Sequence, residues 1–290
     1  MAALRDWSFP EGLRKPMDLK ATQYDVSEQI ATICLHRPHR ANAWTGRMHT
    51  EYRYLLEQAE TDPEVRIIIV TGTGDKFCVG GDSKALDGHS KAGKYDAGTP
   101  VDLKTPGDPS FAPFREDFAY HFALSKPVIA AINGAAAGVG LVLACYADIR
   151  FAVPGAKLTT AHGPLNMPAE YGLSWLLPRL IGGARAIELL LSSRKFLTDE
   201  AHEIGLVHQL VAAENLRDQS RAYALDLIQR VSPASLKQSK RQTYLDYHRD
   251  VGASVREANA LLAEMIQDPD YKEAIAAFLE RRKANWQSPS

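Results

Sequence analysis

Two short glycine-bearing segments hold the residues best placed to do chemistry. Eight of the 20 glycines fall within residues 72–88 and 134–140. Each segment follows an apolar run and precedes a helical pattern: residues 66–71 (RIIIVT) lead into the first, residues 128–132 (VIAAI) into the second. A strand-to-helix junction leaves backbone N–H groups without intrahelical partners, and they point at whatever docks there. Glycine lets a ligand approach the backbone closely. Two converging N–H donors are what a developing oxyanion needs. The competing reading is structural: the glycines only make tight turns and close helix–strand packing. Neither segment has the Walker pattern or G-x-G-x-x-G, which argues against a phosphate loop or a dinucleotide site.

Other chemistries find little support. Cys34, Cys78 and Cys145 are far apart, odd in number and without C-x-x-C spacing, so neither a disulfide framework nor a zinc site is expected. This usage fits a reducing compartment, and a cytoplasmic location is expected. No His, Cys, Asp or Glu cluster has metal-ligand spacing, and no G-x-S-x-G is present. The 34 basic and 35 acidic residues leave a net charge of −1, which gives no reason to expect a nucleic-acid or membrane-surface partner. The longest apolar stretch, residues 128–145, contains Gly134-x-x-x-Gly138, but Asn133-Gly134 breaks it and it runs into Asp148 and Arg150. A membrane span is therefore not expected. Residues 1–20 are mixed polar with Pro10 and Pro16 and lack an apolar signal region.

The elements that must position the glycine segments read as alternating strands and helices. Residues 22–35 read as a hairpin or pair of strands. Met48, Tyr52, Leu55, Leu56 and Ala59 recur at helical spacing and predict an amphipathic helix that stops near Asp62-Pro63. Residues 66–71 and 128–132 read as buried parallel strands. Residues 138–146 read as a helix, and 149–153 as a further strand. Residues 87–110 lack apolar periodicity and read as a long functional or mobile loop. The aromatic stretch 111–125 looks helical. From about Thr198 the chain is chiefly helical, with Thr198 and Asn215 as N-caps, Ser232-Pro233 opening one helix and Asp268-Pro269-Asp270 the last. Ala274, Ala277 and Phe278 give that last helix an apolar stripe. A chain of 290 residues has room for one large α/β domain or a domain with an appendage, and the repeated strand–turn–helix unit indicates the α/β class.

At this point the motifs carry a resemblance. Phe77-Cys78-Val79-Gly80-Gly81-Asp82 resembles the F-x-x-G-A-D segment of the crotonase (enoyl-CoA hydratase/isomerase) superfamily. Residues 126–134 (KPVIAAING), with Gly138-Val139-Gly140 and Ala147-Asp148, are similar to its second signature. Residues 175–182 (WLLPRLIG), 203–207 (EIGLV) and 277–283 (AFLERRK) also match family patterns. The similarity runs from about residue 22 to 286.

The resemblance implies an α/β fold built as a crotonase-like spiral of ββα units. The implied layout is an N-terminal extension over 1–20, the spiral core over 21–205 and a helical C-terminal trimerisation subdomain over 206–290. It implies a homotrimer or homohexamer and an acyl-CoA thioester substrate, with coenzyme A carried by the substrate and no separate cofactor. The thioester oxygen would be held by the backbone N–H groups of Gly81 and Val139. Val139 stands where Gly or Ala is usual, but a main-chain donor survives the change. Arg40 precedes Ala41, in the stretch that contacts the CoA moiety. Val79, Asp82, Ser83 and Lys84 fall at the acyl-CoA site, and Lys283, beside Arg282, could meet a nucleotide phosphate. For Ser83, Lys84, Arg40 and Lys283 a solvent-facing role is the alternative. Phe111, Phe114, Phe118, Tyr120 and Phe122 read as core or acyl-pocket wall.

The reaction is less legible. Family hydratases use two glutamates, and the corresponding positions here are Val142 and His162. Valine transfers no proton. His162, with a reference pKa near 6.5, is either an acid–base group or a packed histidine. Glu170, in residues 168–172 (PAEYG), lies where isomerases of the superfamily place their acidic base; the bland alternative is a solvated loop carboxylate. The expectation is 3-enoyl- to 2-enoyl-CoA isomerisation with Glu170 as base. The runner-up is 2-enoyl-CoA hydration, and a third reading is a non-catalytic acyl-CoA- or protein-binding paralogue.

Overall fold

The computed structural model of the chain describes residues 17–100 and 102–286. The expected N-terminal extension lies largely outside them. The chain enters on strand β1 (Thr22–Ser27) and turns through Glu28 and Gln29, both at positive φ, into β2 (Ile30–Leu35). Helix α1 (Gly46–Thr61) is capped by Thr45, whose hydroxyl accepts the Met48 N–H at 3.1 Å, and it buries Met48, Tyr52, Leu55, Leu56 and Ala59 as their spacing predicts. Then come β3 (Ile67–Gly72), β4 (Lys76–Cys78) and α2 (Ser83–Ala92). The same order repeats in β5 (Val128–Ile132), β6 (Ala135–Ala137) and α3 (Val139–Tyr146). A third turn follows in β7 (Ile149–Ala152), β8 (Lys157–Thr159) and α4 (Leu173–Ile181).

The chain continues through α5 (Gly183–Ser192), β9 (Phe196–Leu197), α6 (Thr198–Glu203) and β10 (Gln209–Leu210). It ends in α7 (Leu216–Arg230), α8 (Pro233–Asp246), α9 (Val251–Met265) and α10 (Pro269–Glu280). Among the described residues, the first strand of each turn joins a six-stranded sheet, β1-β2-β3-β5-β7-β10, and the second joins a four-stranded sheet, β4-β6-β8-β9. Among the described strands only β1–β2 and β8–β9 pair antiparallel. This is an α/β spiral of ββα turns.

The continuous apolar runs follow from burial on both faces of the larger sheet. Ile68, Val70, Ala130 and Ile132 face the main core with α1, while Ile67, Ile69, Ile129 and Ala131 face a second cluster that includes Leu216 and Ala224 of α7. Asn133 ties adjacent turns together. Its Oδ1 accepts the Gly72 N–H at 3.0 Å, and its Nδ2 donates to the Gly74 carbonyl at 2.8 Å. Asn42, fully buried, donates to the carbonyls of Thr73 and Lys76 at 2.9 and 2.8 Å. Asp148 anchors α8: it accepts from Val128 N–H, Lys240 Nζ and Tyr244 Oη.

Several local expectations change. Residues 111–125 are not one helix but two 3₁₀ turns, Ala112–Arg115 and Ala119–Ala123. Between them Phe118 takes φ +65°. His121 donates from Nδ1 to the Phe118 carbonyl at 2.7 Å and holds that kink. The long loop begins later than expected, because α2 runs to Ala92. Thr198 does not cap its helix; its hydroxyl donates to the Val153 carbonyl and accepts the Ala156 N–H. Asn215 precedes α7 without a side-chain capping bond. On α10, Ala277 is buried but Phe278 is 79% exposed. All three cysteines are unpaired, and burial pushes the Cys78 and Cys145 thiols up to about 12. Among the described residues no helix is long and apolar enough to cross a membrane.

The glycines separate by purpose. A Cβ at Gly140 would lie 2.1 Å from the Cys78 carbonyl oxygen, and one at Gly134 would lie 2.0 Å from the Asp75 carbonyl oxygen. A Cβ at Gly88 would meet nothing within 4 Å. Gly140→Ala should therefore lower stability by about 3 kcal/mol. Gly88→Ala, in the interior of α2, should leave stability intact or raise it by up to ~1 kcal/mol. Urea midpoints of the two variants check the contrast; equal effects would contradict it.

Candidate active site

The turns between β4 and α2 and between β6 and α3 meet at a cavity. Its wall includes Gly80, Gly81 and Asp82 from the first, Gly138 and Val139 from the second, and Glu170 and Tyr171 from the segment before α4. The close approach depends on bare backbone. A Cβ at Gly80 would sit 3.1 Å from the Ala137 carbonyl oxygen, and both Gly80 and Gly138 take positive φ. Trp44 pairs with the strand end in parallel fashion: its N–H donates to the Gly80 carbonyl at 2.8 Å and its carbonyl accepts the Asp82 N–H at 2.9 Å. That pattern uses residues 80 and 82 and leaves the Gly81 N–H unspent. Val139 opens α3, so its N–H has no intrahelical acceptor. Neither N–H has an acceptor among the described residues.

Glu170 sits on a strained turn. Tyr171 and Gly172 are both left-handed, at φ 49° and 72°. Tyr146, at the end of α3, holds this turn by donating to the Tyr171 carbonyl at 2.7 Å. A non-glycine residue with an aromatic side chain is costly there, of order 1–3 kcal/mol, and persists because its surroundings fix it. One Glu170 carboxylate oxygen lies 3.7 Å from where a Cβ of Gly138 would be. Burial raises the Glu170 pKa. The Tyr171 hydroxyl meets that of Tyr95 at 2.5 Å, so the 93–110 segment closes part of the wall.

Asp82 is nearly buried and committed to its neighbours. It caps α2 by accepting the Lys84 N–H at 2.9 Å, pairs with Arg37 at 2.9 Å and approaches Arg40 at 3.5 Å. Burial pushes its pKa up, but the Lys84 N–H and the two guanidinium groups outweigh that and hold it below the usual range. Arg37, His39, Arg40 and Lys84 line a second, open cleft that shares Thr45, Asp82 and Ala85 with the cavity. Cations beside a partly apolar cavity suit a ligand with phosphates at one end and an apolar group at the other.

The structure brings Gly81, Val139, Glu170, Val79 and Asp82 together on the cavity, and Arg40 and Lys84 onto the adjoining cleft. Other expected residues stand apart. His162 is buried, with an Nδ1 that has no partner, and does not line the cavity, where Ala161 is found instead. Ser83 accepts a hydrogen bond from Arg40 but lines neither space, and Ala41 pairs with Val79 through its carbonyl. Lys283 donates to Gln229 at 2.6 Å and lines neither space. Phe111, Phe114, Phe118, Tyr120 and Phe122 form core behind the wall. Sequence reasoning missed Arg37, Trp44, His49, Tyr95, Met167 and Tyr171. The usable signals were Arg37 in the same loop as Arg40, and Tyr171 beside Glu170.

The family model described as enoyl-CoA hydratase/isomerase matches residues 25–289. The chain belongs to the enoyl-CoA hydratase/isomerase family. Within this family it is 32% identical, over 89% of this chain and 94% of the relative, to 1,2-epoxyphenylacetyl-CoA isomerase of Escherichia coli K12. It is 28% identical to the short-chain-enoyl-CoA hydratase of Clostridium acetobutylicum, over 92% of this chain and 97% of that one. The crystal structure of an enoyl-CoA hydratase from Bacillus anthracis is similar at a TM-score of 0.79 and 26% identity, covering 92% and 99% of the two chains. This membership makes the chain an acyl-CoA enzyme of the crotonase superfamily, with an α/β fold shared by its structural neighbours.

Asp82→Asn should destabilise the protein by about 2 kcal/mol at pH 7, because it leaves Arg37 without its charged partner. A carboxyl held low in the folded state contributes above its unfolded pKa, near 4, and loses the contribution as pH falls through the folded pKa. The gap between wild type and variant should thus narrow below about pH 4 in urea titrations. A gap independent of pH would refute the ionic account.

Proposed function

We propose that this enzyme converts 3-enoyl-CoA thioesters to 2-enoyl-CoA thioesters, with Glu170 moving the proton. One observation carries the reading. Asp82, Asp96 and Glu170 are the carboxylates on the cavity wall among the described residues, and Glu170 alone has no hydrogen-bond or ionic partner. Asp82 serves Arg37, Arg40 and Lys84; Asp96 accepts the Gly98 N–H.

In this mechanism the thioester oxygen accepts from the N–H groups of Gly81 and Val139. Glu170 takes a proton from C2, and the C–H electron pair enters a dienolate whose charge rests on that oxygen. The protonated Glu170 then returns the proton to C4, so the 3,4 double bond becomes 2,3. One carboxylate suffices, and the raised pKa suits a group that both takes and gives a proton. Coenzyme A enters with the substrate, its phosphates against Arg37, Arg40 and Lys84, and no further cofactor is required. Hydration asks for a second proton-transfer group, and Val142 is buried in α3 while His162 lies off the wall.

Glu170→Gln should reduce isomerisation of a 3-enoyl-CoA by 10³-fold or more, of the order expected for loss of an acid–base group, while acyl-CoA still binds. In wild type the acid limb of kcat/KM should lie above the ordinary glutamate range, because a raised pKa means that the base is neutralised at higher pH. Normal turnover by the variant, or hydration of a 2-enoyl-CoA with no shift of the 3-enoyl isomer, would overturn the assignment.

We also propose assembly as trimers or hexamers through the C-terminal helices. Val251, Phe278 and Leu279 are 80%, 79% and 73% exposed, and Leu191 of α5 is 78% exposed. Such apolar surface favours a protein partner over water. Sedimentation should give a mass of three or six chains, and Phe278→Asp with Leu279→Asp should lower it; a monomeric wild type would rule this out.

A further inference from the structure

The far wall of the cavity carries a buried imidazole that the proton shift does not use. His49 lies on α1, is 2% exposed and lines the cavity. Its ring stacks on Phe118 at 5.3 Å between centroids, and Phe118 in turn packs edge-on against Tyr171 at 4.8 Å. The platform is fixed by the His121 bond to the Phe118 carbonyl. On its Nε2 side His49 meets the Tyr120 hydroxyl at 3.3 Å and Asp117 at 3.7 Å. Arg53 pairs with that Asp117 at 3.2 Å and also binds the carbonyl of Leu103. Nδ1 has no hydrogen-bond partner among the described residues, nor is it among the fully enclosed polar atoms that lack one.

Most of the remaining polar side chains of the wall are spoken for, while the Trp44 indole N–H has no acceptor among the described residues. Thr45 caps α1, His89 bonds the Asp96 carbonyl, and Tyr95 bonds Tyr171. His49 Nδ1 is therefore a polar atom, unused by the mechanism, that an acyl group would cover. An apolar chain would strip its water and offer nothing in return. Burial lowers the His49 pKa to about 4, against the pull of Asp117, so the ring is neutral. A neutral imidazole presents either a bare nitrogen or an N–H, and a hydroxyl serves both, donating to the first and accepting from the second. The cavity measures about 170 Å³. An apolar protein cavity of about 150 Å³ takes one benzene, so the space suits a single ring or a short chain.

We infer that His49 reads a hydroxyl on the acyl group, and that the preferred substrate is a compact hydroxylated acyl-CoA. This rests on the thioester reading above and deepens it.

Binding tests it without depending on turnover. Dissociation constants are measured by calorimetry for two matched pairs: 3-(4-hydroxyphenyl)propanoyl-CoA with 3-phenylpropanoyl-CoA, and 6-hydroxyhexanoyl-CoA with hexanoyl-CoA. At least one hydroxylated member should bind wild type about tenfold more tightly than its parent. His49→Phe should abolish that preference, and His49→Gln, which keeps a donor and an acceptor, should restore part of it. Circular dichroism melts confirm that each variant is folded; if His49→Phe is not, His49→Gln and His49→Leu take its place in the comparison. No hydroxyl preference in either pair, or a preference that survives loss of the imidazole, overturns the inference while the thioester reading stands. Failure of all four thioesters to bind overturns both.

Discussion

The contact on which the rest depends is backbone against backbone. The Cys78 carbonyl oxygen lies where a side chain of Gly140 would begin, and the Asp75 carbonyl does the same to Gly134. This approach is brought about by the parallel ladder of β4 and β6. It is permitted by the absence of a Cβ on one side and driven by burial of the two strands on the other. Once β4 and β6 lie this close, the ends of both strands open on one cavity. The N–H groups of residues 81 and 139 are left unspent there by the same geometry. The structural and chemical readings of the glycines are thus one arrangement at different positions. Gly134 and Gly140 make the approach; Gly81 and Val139 carry the donors it exposes.

Charge is divided around this axis. Cations gather on the open cleft, where Asp82 sets the positions of Arg37 and Arg40. The cavity itself holds the His49 imidazole, a tyrosine pair and one unpaired carboxylate. Burial acts on Glu170, Tyr171 and His49 in one direction, towards the uncharged form: the Glu170 and Tyr171 pKa values rise and the His49 value falls. A carboxyl so biased differs from a surface glutamate less by its neighbours' charge than by the water it lacks. A chain with a net charge of −1 thus presents a local cationic face without a broad basic surface.

Much of the scaffold was legible in order. The Met48–Ala59 spacing marked α1, and the β-branched runs marked β3 and β5, because each carries its own periodicity. The glycine segments marked the centre of the site. What escaped depends on partners distant in the chain. Arg37 takes its charged partner from Asp82, 45 positions away. His49 occupies the buried face of α1 beside Met48 and reads as one more core residue. The aromatic stretch 111–125 has helical composition, yet Phe118 leaves the helical region of backbone space, and nothing local announces it. Residues 87–92 read as loop because a helix without an apolar stripe has no pattern to show.

The strained turn at Tyr171 also divides the molecule by what can vary. Its conformation is held from inside, by a hydroxyl of α3, whereas its outer partner Tyr95 stands 59% exposed on the long connection before β5. Met167 and Leu165, on the neighbouring stretch of wall, likewise lie outside the contact between β4 and β6. Residues on this outer part of the cavity wall can therefore drift one at a time while the carbonyl-to-glycine spine stays fixed. The architecture is modular in the evolutionary sense: a single frame of exposed backbone donors can be given a new cavity lining by exchanging surface segments, without passing through an unfolded intermediate sequence.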